Sequence, residues 1–379
     1  MSVYTDLGLK QVINASGKMT ALGGSAVAAE VAEAMARAAR DYVSMEDLFR
    51  KAGQKVATLI GAEAACITSG AAAGIAISIA ACIAGRDLAL IERLPDSGGL
   101  RNEVLLPKGH SVNFGAPLTQ VIRLGGGRPV EVGQVNEVKG AHLQGAVSDR
   151  TAALLYVKSH HTVQKGIIPL EEMVRIGKEK GIPVVVDAAA EEDLRKYLDL
   201  GADLVIYSGG KAIEGPTSGF ICGRKDLIEA CQMQYRGVGR AMKIGKEGIL
   251  GLLAALDRYL NRDRLQDAAD QRKRMEWLIA GLQDIPHLEA GLTQDEAGRE
   301  IYRAQIRIDE KGLGLTAKEV IKLLEGGDPA IYTRNHFVNL GIISIDPRPL
   351  LPGQEAVVLR RLHEIFAEAT PPCNPRSCG

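Results

Sequence analysis

Between residues 46 and 255, strand-like apolar runs alternate with segments that have a helical pattern of apolar positions. Short apolar runs, typical of buried strands, are separated by longer segments in which apolar residues recur at helical spacing. The runs that we predict to be strands are Ala64–Thr68, Leu88–Ile91, Gln120–Leu124, Ala152–Val157, Pro183–Asp187, Asp203–Tyr207 and Gly219–Cys222. This alternation predicts an α/β fold with a mostly parallel sheet covered by helices.

The helical pattern predicts helices over Leu170–Lys180 and Asp226–Tyr235, and a long helix over Lys246–Leu282 with a break near Asn261–Arg264. After this helix, strand-like and helical segments follow in an order that predicts a smaller α+β domain. The predicted divisions are an N-terminal arm and helix (1–45), a large domain (46–255), a small domain with its linking helix (256–370) and a tail (371–379).

Composition changes this picture little, but it excludes several classes of protein. Lys+Arg and Asp+Glu number 46 each in the 379 residues, so no overall basic field favours a nucleic acid or an anionic membrane. The most apolar stretch, Ala71–Ala84, is shorter than the roughly 20 apolar residues that span a bilayer, and we do not expect the first residues to form a signal peptide. The six cysteines have no zinc spacing. We expect a cytoplasmic protein without a metal.

The segment around Lys211 carries the clearest chemical signal. "ADLVIYSGGKAIEGPTSGFICG" predicts a buried strand, a Ser-Gly-Gly turn, the lysine, a loop rich in Pro and Gly, and a second strand. Upstream, "IPVVVDAAA" places Asp187 at the end of another apolar strand. Such a lysine can anchor pyridoxal phosphate (PLP) as a Schiff base, and the carboxylate can keep the pyridine nitrogen protonated. Alternatively, Lys211 is a surface lysine and Asp187 caps the following helix.

A phosphate group of the cofactor needs donors, and two turns can supply them. The turn Thr68-Ser69-Gly70 precedes a helix that begins near Ala71, where free backbone N–H groups and the helix dipole favour an anion. Ser208 is the second candidate. Both could equally be ordinary turn residues.

The cofactor ring also needs neighbours. His110 or Phe114 in "KGHSVNFG" is predicted to cover one face of the ring, with Ala189 on the other. Ser159 and one of the adjacent histidines, for which we choose His161, are further candidates, although the histidine pair could also be exposed to solvent. A P-loop and a G-x-G-x-x-G motif are both absent from the sequence, which excludes the common nucleotide-binding motifs.

At these residues the chain resembles the fold-type I PLP enzymes, specifically the group related to L-seryl-tRNA(Sec) selenium transferase. The segments that carry the resemblance are "INASGKMT", "GAEAACITSGAAAGI", "VVVDAAAEEDL" and "GADLVIYSGGKAIEGPTSGFICGRKDLI". The resemblance implies an aspartate aminotransferase-like fold, Lys211 as the lysine that binds the cofactor, Asp187 as the partner of the pyridine nitrogen, and at least a homodimer.

Three segments resemble one branch of that group more closely, the ammonia-lyases of phosphorylated amino sugar acids: "INASGKMTALGGS", "YVSMEDLFRKAG" and "YTRNHFVNLGIISIDPRPL". This branch implies a small-molecule substrate with a carboxylate at one end and a phosphate at the other. We predict Arg334, and next Arg348, for the carboxylate, because arginine can bind it at two points. Lys18, Thr20 and Ser25 in the N-terminal arm, and Arg240 with Lys243, are predicted for the phosphate.

Several alternatives stay open at this point. Arg240 and Lys243 could belong to a solvated basic loop, with Lys243 paired to Glu247. The scaffold could catalyse another PLP reaction, such as racemisation, aldol cleavage or β-elimination, because a fold does not fix a reaction. It could also serve the selenocysteine pathway by binding RNA, or have lost catalysis. The zero net charge and the lack of a further domain before "INASG" favour a protein that does not bind RNA.

Overall fold

The computed structural model of the protein describes residues 3–159, 161–295 and 300–369. These residues form two compact units. The larger unit is Gly24–Asn261, and the smaller unit combines the residues through Gly23 with those from Arg262 onward. The N-terminal 45 residues, predicted as one segment, are therefore divided between the two units. The predicted tail, 371–379, lies outside the described residues.

The secondary structure of the described residues is as follows. The strands are β1 (Val12–Ala15), β2 (Ala64–Thr68), β3 (Glu103–Pro107), β4 (Arg128–Val132), β5 (Thr151–Val157), β6 (Val184–Asp187), β7 (Leu204–Ser208), β8 (Gly219–Gly223), β9 (Leu288–Gln294), β10 (Tyr302–Ile308), β11 (Ala330–Thr333) and β12 (Ile342–Ile345). The helices are α1 (Ala29–Arg40), α2 (Met45–Ile60), α3 (Ala71–Ala84), α4 (Leu88–Arg93), α5 (Leu118–Leu124), α6 (Gly140–Ala146), α7 (Leu170–Lys180), α8 (Lys196–Asp199), α9 (Lys225–Met233), α10 (Lys246–Asn261), α11 (Arg264–Ala280), α12 (Glu310–Leu313), α13 (Ala317–Gly326) and α14 (Gln354–Ala369).

The described part of the larger unit contains a seven-stranded sheet in the order β2-β8-β7-β6-β5-β3-β4. Strand β8 runs antiparallel to both of its neighbours, and the other strands run parallel to one another. This confirms the mostly parallel sheet. Because parallel strands end at one edge of a sheet, the last residues of β2, β6 and β7, which are Thr68, Asp187 and Ser208, share that edge.

The central strands are apolar on both faces because helices cover both. On one face, Tyr156 and Val186 pack in a core with α2, α7 and α10. On the other face, Leu155 and Ile206 pack with α3, α5 and α9. Strands buried on two sides become continuous apolar runs, which is why the sequence revealed β5, β6 and β7 so clearly.

The smaller unit is an α+β structure, as predicted. Its described residues form an antiparallel sheet in the order β12-β10-β9 and a parallel pair, β1 with β11. Helices α11, α13 and α14 contribute Met275, Leu324 and Leu362 to its core. Nowhere in the described ranges is a helix long and apolar enough to cross a membrane.

Two predicted strands are wrong, since Leu88–Ile91 lies in α4 and Gln120–Leu124 lies in α5. A short apolar run fits a buried strand and a buried helix equally well. Here the residue before each helix favours the helix. The carboxylate of Asp87 accepts a hydrogen bond from the Leu90 N–H and caps α4, and Pro117 precedes the first turn of α5. Strands β3 and β4 went unpredicted because each begins with a charged residue, Glu103 or Arg128, and leaves only a short apolar run, which Glu131 divides further in β4.

Candidate active site

Asp187 and Lys211 lie at the edge where the parallel strands end. Asp187 is the last residue of β6 and is only 6% exposed, and its Oδ1 accepts a hydrogen bond from the Ala189 N–H at 3.1 Å. Burial raises the pKa of the Asp187 carboxyl above its usual value, and the positive charge of Lys211 and the Ala189 N–H offset only part of that rise. The structure therefore brings the two residues within electrostatic reach of each other.

Lys211 lies in a loop between β7 and β8 that we call the lysine loop, residues Gly209–Ser218. The Gly209 N–H donates to the Ser218 carbonyl at 2.8 Å, and the Gly215 N–H donates to the Gly209 carbonyl at 2.7 Å. A Cβ atom on Gly209 would lie 2.1 Å from Ser218 Oγ, so glycine is required for this closure. Ser208, half-buried, ends β7 opposite Gly219.

The turn before α3 has the features of an anion site. The first helical hydrogen bond runs from the Gly74 N–H to the Gly70 carbonyl, so the N–H groups of residues 71–73 have no acceptor within the helix. Among the described residues no side chain caps α3, and its first turn contains no acid. A Cβ atom on Gly70 would meet open space. Ser69 and Ala71 are half-buried, whereas buried Thr68 donates its hydroxyl to the Gly70 carbonyl at 2.9 Å.

The two candidates for covering the ring differ in exposure. His110 is 0% exposed; its Nδ1 accepts the Val157 N–H at 3.2 Å and its ring lies edge-on to Tyr156. Burial lowers the pKa of His110 to about 4, so the imidazole is neutral at pH 7 and carries its proton on Nε2. Phe114 is half-buried against the core that faces α3. Phe114 therefore has more surface open to a ligand than His110.

The segment after β5 is less enclosed. Ser159 is half-buried, and its Oγ accepts a hydrogen bond from the His161 N–H at 3.2 Å. The His161 side chain is exposed, in line with the solvent-exposed alternative, and His160 lies outside the described residues. Ser159 therefore remains a candidate neighbour of the cofactor, because it lies two residues after the end of β5.

Among the basic residues of the larger unit, Arg240 and Lys243 are both exposed. The expected pairing of Lys243 with Glu247 is not the one observed, because Glu247 pairs with Lys246 at 2.9 Å. The adjacent Lys246 already reaches Glu247 from the same helical turn, and it also donates to the Ala39 carbonyl at 3.0 Å.

In the smaller unit, Arg348 belongs to a buried charge network. Its Nε and Nη2 donate to the two carboxylate oxygens of Asp346 at 2.9 and 2.7 Å. Arg303 donates to Asp346 at 2.8 Å and to Asp295 at 2.8 Å. Burial opposes the ionisation of Asp346, but Arg348 and Arg303 outweigh it and hold the pKa of Asp346 at about 2. Arg348 is therefore fixed in one orientation.

The other predicted substrate residues of the smaller unit lie on its N-terminal segment and near β11. Arg334, half-buried, exchanges backbone hydrogen bonds with Ser344 at 2.9 and 3.0 Å. Lys18 is half-buried and Thr20 is exposed. A Cβ atom on Gly17, whose φ is +132°, would lie 3.9 Å from Arg348 Nη2, so the start of this segment runs beside Arg348.

Three residues of this network, Asp346, Arg303 and Asp295, were not predicted from the sequence. Asp346 directly follows the apolar strand β12, much as Asp187 follows the three valines of β6, and it is 0% exposed. The same signal that identified Asp187 could have identified it. Within the described ranges, no group of His, Cys, Asp and Glu could hold a metal ion.

Replacing Asp346 by asparagine is expected to destabilise the protein by about 1–3 kcal/mol, because it leaves buried guanidinium groups with fewer acceptors. The pKa of Asp346 is lowered in the folded protein, so the carboxylate stabilises the fold above the unfolded pKa of about 3.9. This contribution is lost as the pH falls toward about 2. Urea unfolding of both proteins from pH 7 downward measures the difference.

The control for this variant is Asp47→Asn, which removes the exposed pair between Asp47 and Arg50. We expect no measurable change from it. An equal loss of stability in both variants, or a difference between wild type and Asp346→Asn that persists below pH 2, would contradict the structural role of Asp346.

Comparison with known proteins identifies the family. The family model described as "L-seryl-tRNA selenium transferase" matches residues 12–273. The chain is 49% identical to D-glucosaminate-6-phosphate ammonia lyase of Salmonella typhimurium, over 97% of this chain and 99% of that protein. It is 48% identical to 5'-C-glycyluridine monooxygenase-decarboxylase of a Streptomyces species, over 96% of this chain and 92% of the relative.

Solved structures agree with this result. A structure of D-glucosaminate-6-phosphate ammonia-lyase superposes with a TM-score of 0.92 at 48% identity, covering 97% of this chain and 99% of the other. A serine palmitoyltransferase with a PLP internal aldimine shares the fold, with a TM-score of 0.57 at 15% identity over 95% of this chain and 88% of the other. The chain therefore belongs to the L-seryl-tRNA selenium transferase family and has the fold of the type I PLP-dependent enzymes.

Proposed function

We propose that this protein is a PLP-dependent ammonia-lyase that converts D-glucosaminate 6-phosphate to 2-keto-3-deoxygluconate 6-phosphate and ammonia. The observation that carries the proposal is that buried Asp187 ends β6 at the edge of the sheet where Lys211 lies, close enough for the charge of Lys211 to lower the pKa of the Asp187 carboxyl. It is supported by 49% identity over 97% of the chain to a protein named for that activity.

The residues present fit PLP at both of its charged ends. Burial raises the pKa of the Asp187 carboxyl, so its ionised form is strongly stabilised by a cationic partner. The pyridinium of PLP is such a partner. The uncapped start of α3, with half-buried Ser69 and the open space beside Gly70, suits a phosphate. An acid in that first turn would have argued against a phosphate.

Each residue then has a defined task. When bound, PLP withdraws electrons from the Cα atom of an amino substrate. Lys211 would hold the cofactor through its Nζ, and its amine would serve as the base that removes the Cα proton of the substrate. Asp187 keeps a proton on the pyridine nitrogen, and the hydrogen bond from the Ala189 N–H to its Oδ1 holds the carboxylate in place.

The overall reaction balances without an oxidant or a reductant. The substrate loses the Cα proton and the β-hydroxyl group as water, which leaves an enamine. The enamine becomes an imine by moving a proton to carbon, and one water molecule then hydrolyses the imine to the ketone and ammonia. One water leaves and one enters, so the products are the 2-keto acid and ammonia alone.

The second candidate is the activity named for the Streptomyces relative, since 48% identity differs too little from 49% to separate the two. A monooxygenase-decarboxylase consumes O2 and releases CO2, whereas the ammonia-lyase needs neither. The two candidates therefore differ in whether O2 is consumed and CO2 is released, and in the products that form.

The test uses purified protein supplied with PLP and D-glucosaminate 6-phosphate. We expect ammonia and a 2-keto acid in equal amounts, without O2 uptake. The same protein with 5'-C-glycyluridine is expected to show neither O2 uptake nor CO2 release. Turnover of 5'-C-glycyluridine with O2, together with no ammonia from the sugar acid, would replace our proposal with the second candidate.

A further inference from the structure

The lysine loop packs against one face of helix α10. Gly251, Ala255 and Arg258 lie on that face, because they are spaced four and three residues apart. A Cβ atom on Gly251 would be 2.7 Å from Pro216 Cγ in the loop, and a Cβ atom on Gly215 would be 3.1 Å from Ala255 Cβ. The loop and the helix therefore approach as closely as these two glycines allow.

The residues Gly24–Arg40, which we call the brace, reach the same place. A Cβ atom on Gly251 would also be 2.7 Å from Met35 Cγ, so α1 lies against α10 beside the loop. Ser25 donates its hydroxyl to the carbonyl of Gly210, the residue before Lys211, at 3.1 Å. The brace thus contacts the peptide that carries the lysine.

Glu214, three residues after Lys211, has an unusual backbone. Its φ is +61°, and among the described residues only one other non-glycine residue has a positive φ. A side chain makes this left-handed conformation unfavourable, so surrounding contacts must maintain it. Its N–H donates to the carbonyl of Lys211 at 3.1 Å, which connects the conformation of Glu214 directly to the lysine.

The side chain of Glu214 forms an ion pair that reaches both helices. Arg258 of α10 donates from Nη1 to Glu214 Oε2 at 3.2 Å, and its Nε lies 2.9 Å from Glu30 Oε1 in α1. One guanidinium therefore joins the lysine loop to α10 and to the brace. Arg258 and Glu30 lie outside the motifs that identified the cofactor site, whereas Glu214 lies within the segment around Lys211.

We propose that Glu214 is a positioning residue for Lys211. Arg258 holds Glu214 in the left-handed conformation, and this conformation sets the orientation in which Lys211 presents its amine to the cofactor. Arg258 acts on the lysine through Glu214, and Glu30 orients Arg258. The inference rests on the proposed role of Lys211 as the lysine that binds PLP.

The test compares alanine and glycine at position 214. Alanine loses the ion pair but still resists a positive φ, so we expect the loop to relax and PLP to be released about tenfold faster from Glu214→Ala than from wild type. Glycine also loses the ion pair but adopts a positive φ without strain. Glu214→Gly is therefore expected to retain a release rate within about twofold of wild type.

The readout is the rate of cofactor release together with the visible circular dichroism of the lysine-bound cofactor, which reports its orientation. Arg258→Ala is expected to match Glu214→Ala in both readouts. Added to the Glu214→Gly background, Arg258→Ala is expected to change neither, because Arg258 acts only through Glu214. Arg50→Ala, which breaks the exposed pair with Asp47, is the matched control.

Equal effects of alanine and glycine at position 214 would overturn the inference, because the charge rather than the backbone would then matter. An effect of Arg258→Ala that persists in the Glu214→Gly background would also overturn it. If Glu214→Ala does not fold, Arg258→Ala with and without Glu214→Gly makes the same comparison. If the cofactor is attached to Lys211 in wild type and the variants have unchanged release rates and circular dichroism, only this inference is refuted. If the cofactor is attached elsewhere, the proposed function is refuted.

Discussion

Replacing Lys211 by alanine is expected to lower the turnover of D-glucosaminate 6-phosphate by roughly 1,000-fold or more, since general acid–base catalysis alone contributes about 100- to 10,000-fold. The variant loses both the amine that holds the cofactor and the base that removes the Cα proton. Ammonia release under saturating substrate and excess PLP measures the change. Excess PLP matters, because it separates the loss of the base from a simple loss of cofactor.

Lys165→Ala is the matched control, because Lys165 is an exposed lysine in the segment after β5. We expect its turnover to equal that of wild type. If Lys211→Ala kept more than a tenth of the wild-type rate, Lys211 could not be the base, and the proposed assignment of the site would be wrong.

Replacing Asp187 by asparagine is expected to lower turnover by two to four orders of magnitude. Removing one partner of a buried ion pair costs about 3–5 kcal/mol, and each factor of ten in rate corresponds to about 1.4 kcal/mol. Asparagine keeps the size of the side chain and an oxygen for the Ala189 N–H, but it cannot keep the pyridine nitrogen protonated. The measurement is again ammonia release, with PLP affinity determined in parallel.

The same variant is expected to have the opposite effect on stability when the cofactor is removed. Because burial raises the pKa of Asp187, the ionised carboxylate destabilises the folded cofactor-free protein at every pH above that raised pKa. Asparagine carries no such charge. Cofactor-free Asp187→Asn should therefore unfold at higher urea concentration than cofactor-free wild type at pH 7.

This gain should shrink as the pH falls through the raised pKa of Asp187, and it should be absent below the unfolded value of about 3.9. With PLP bound, the order should reverse, because wild type gains more from the cofactor. If cofactor-free Asp187→Asn is less stable than cofactor-free wild type at pH 7, the Asp187 carboxylate does not destabilise the cofactor-free fold, and this explanation is wrong.

The central strands of the large sheet could be predicted from the sequence better than the strand at its edge. Strands β5, β6 and β7 lie between two layers of helix, so their apolar runs are continuous and their ends are clear. Strand β4 lies at the edge of the sheet and begins with Arg128. At such positions solvent permits polar residues, and the pattern that identifies a strand disappears.

The candidate site shows a similar division. Asp187 and Lys211 could be predicted because a carboxylate at the end of an apolar strand and a lysine in a glycine loop are local signals. The pairing of Glu214 with Arg258 joins residues 44 positions apart, so no local sequence pattern could predict it. Asp346 had the same signal as Asp187, but its distant partner Arg303 becomes visible only where β10 and β12 lie side by side.

The assignment of Lys211 is tested most directly by reducing the protein–PLP complex with borohydride, digesting it and locating the modified peptide by mass spectrometry. We expect pyridoxyl phosphate on Lys211, in the peptide that contains "SGGK". Modification of Lys158 or Lys165 instead, or a failure of the wild-type protein to incorporate the cofactor at all, would show that Lys211 is not the lysine that binds PLP.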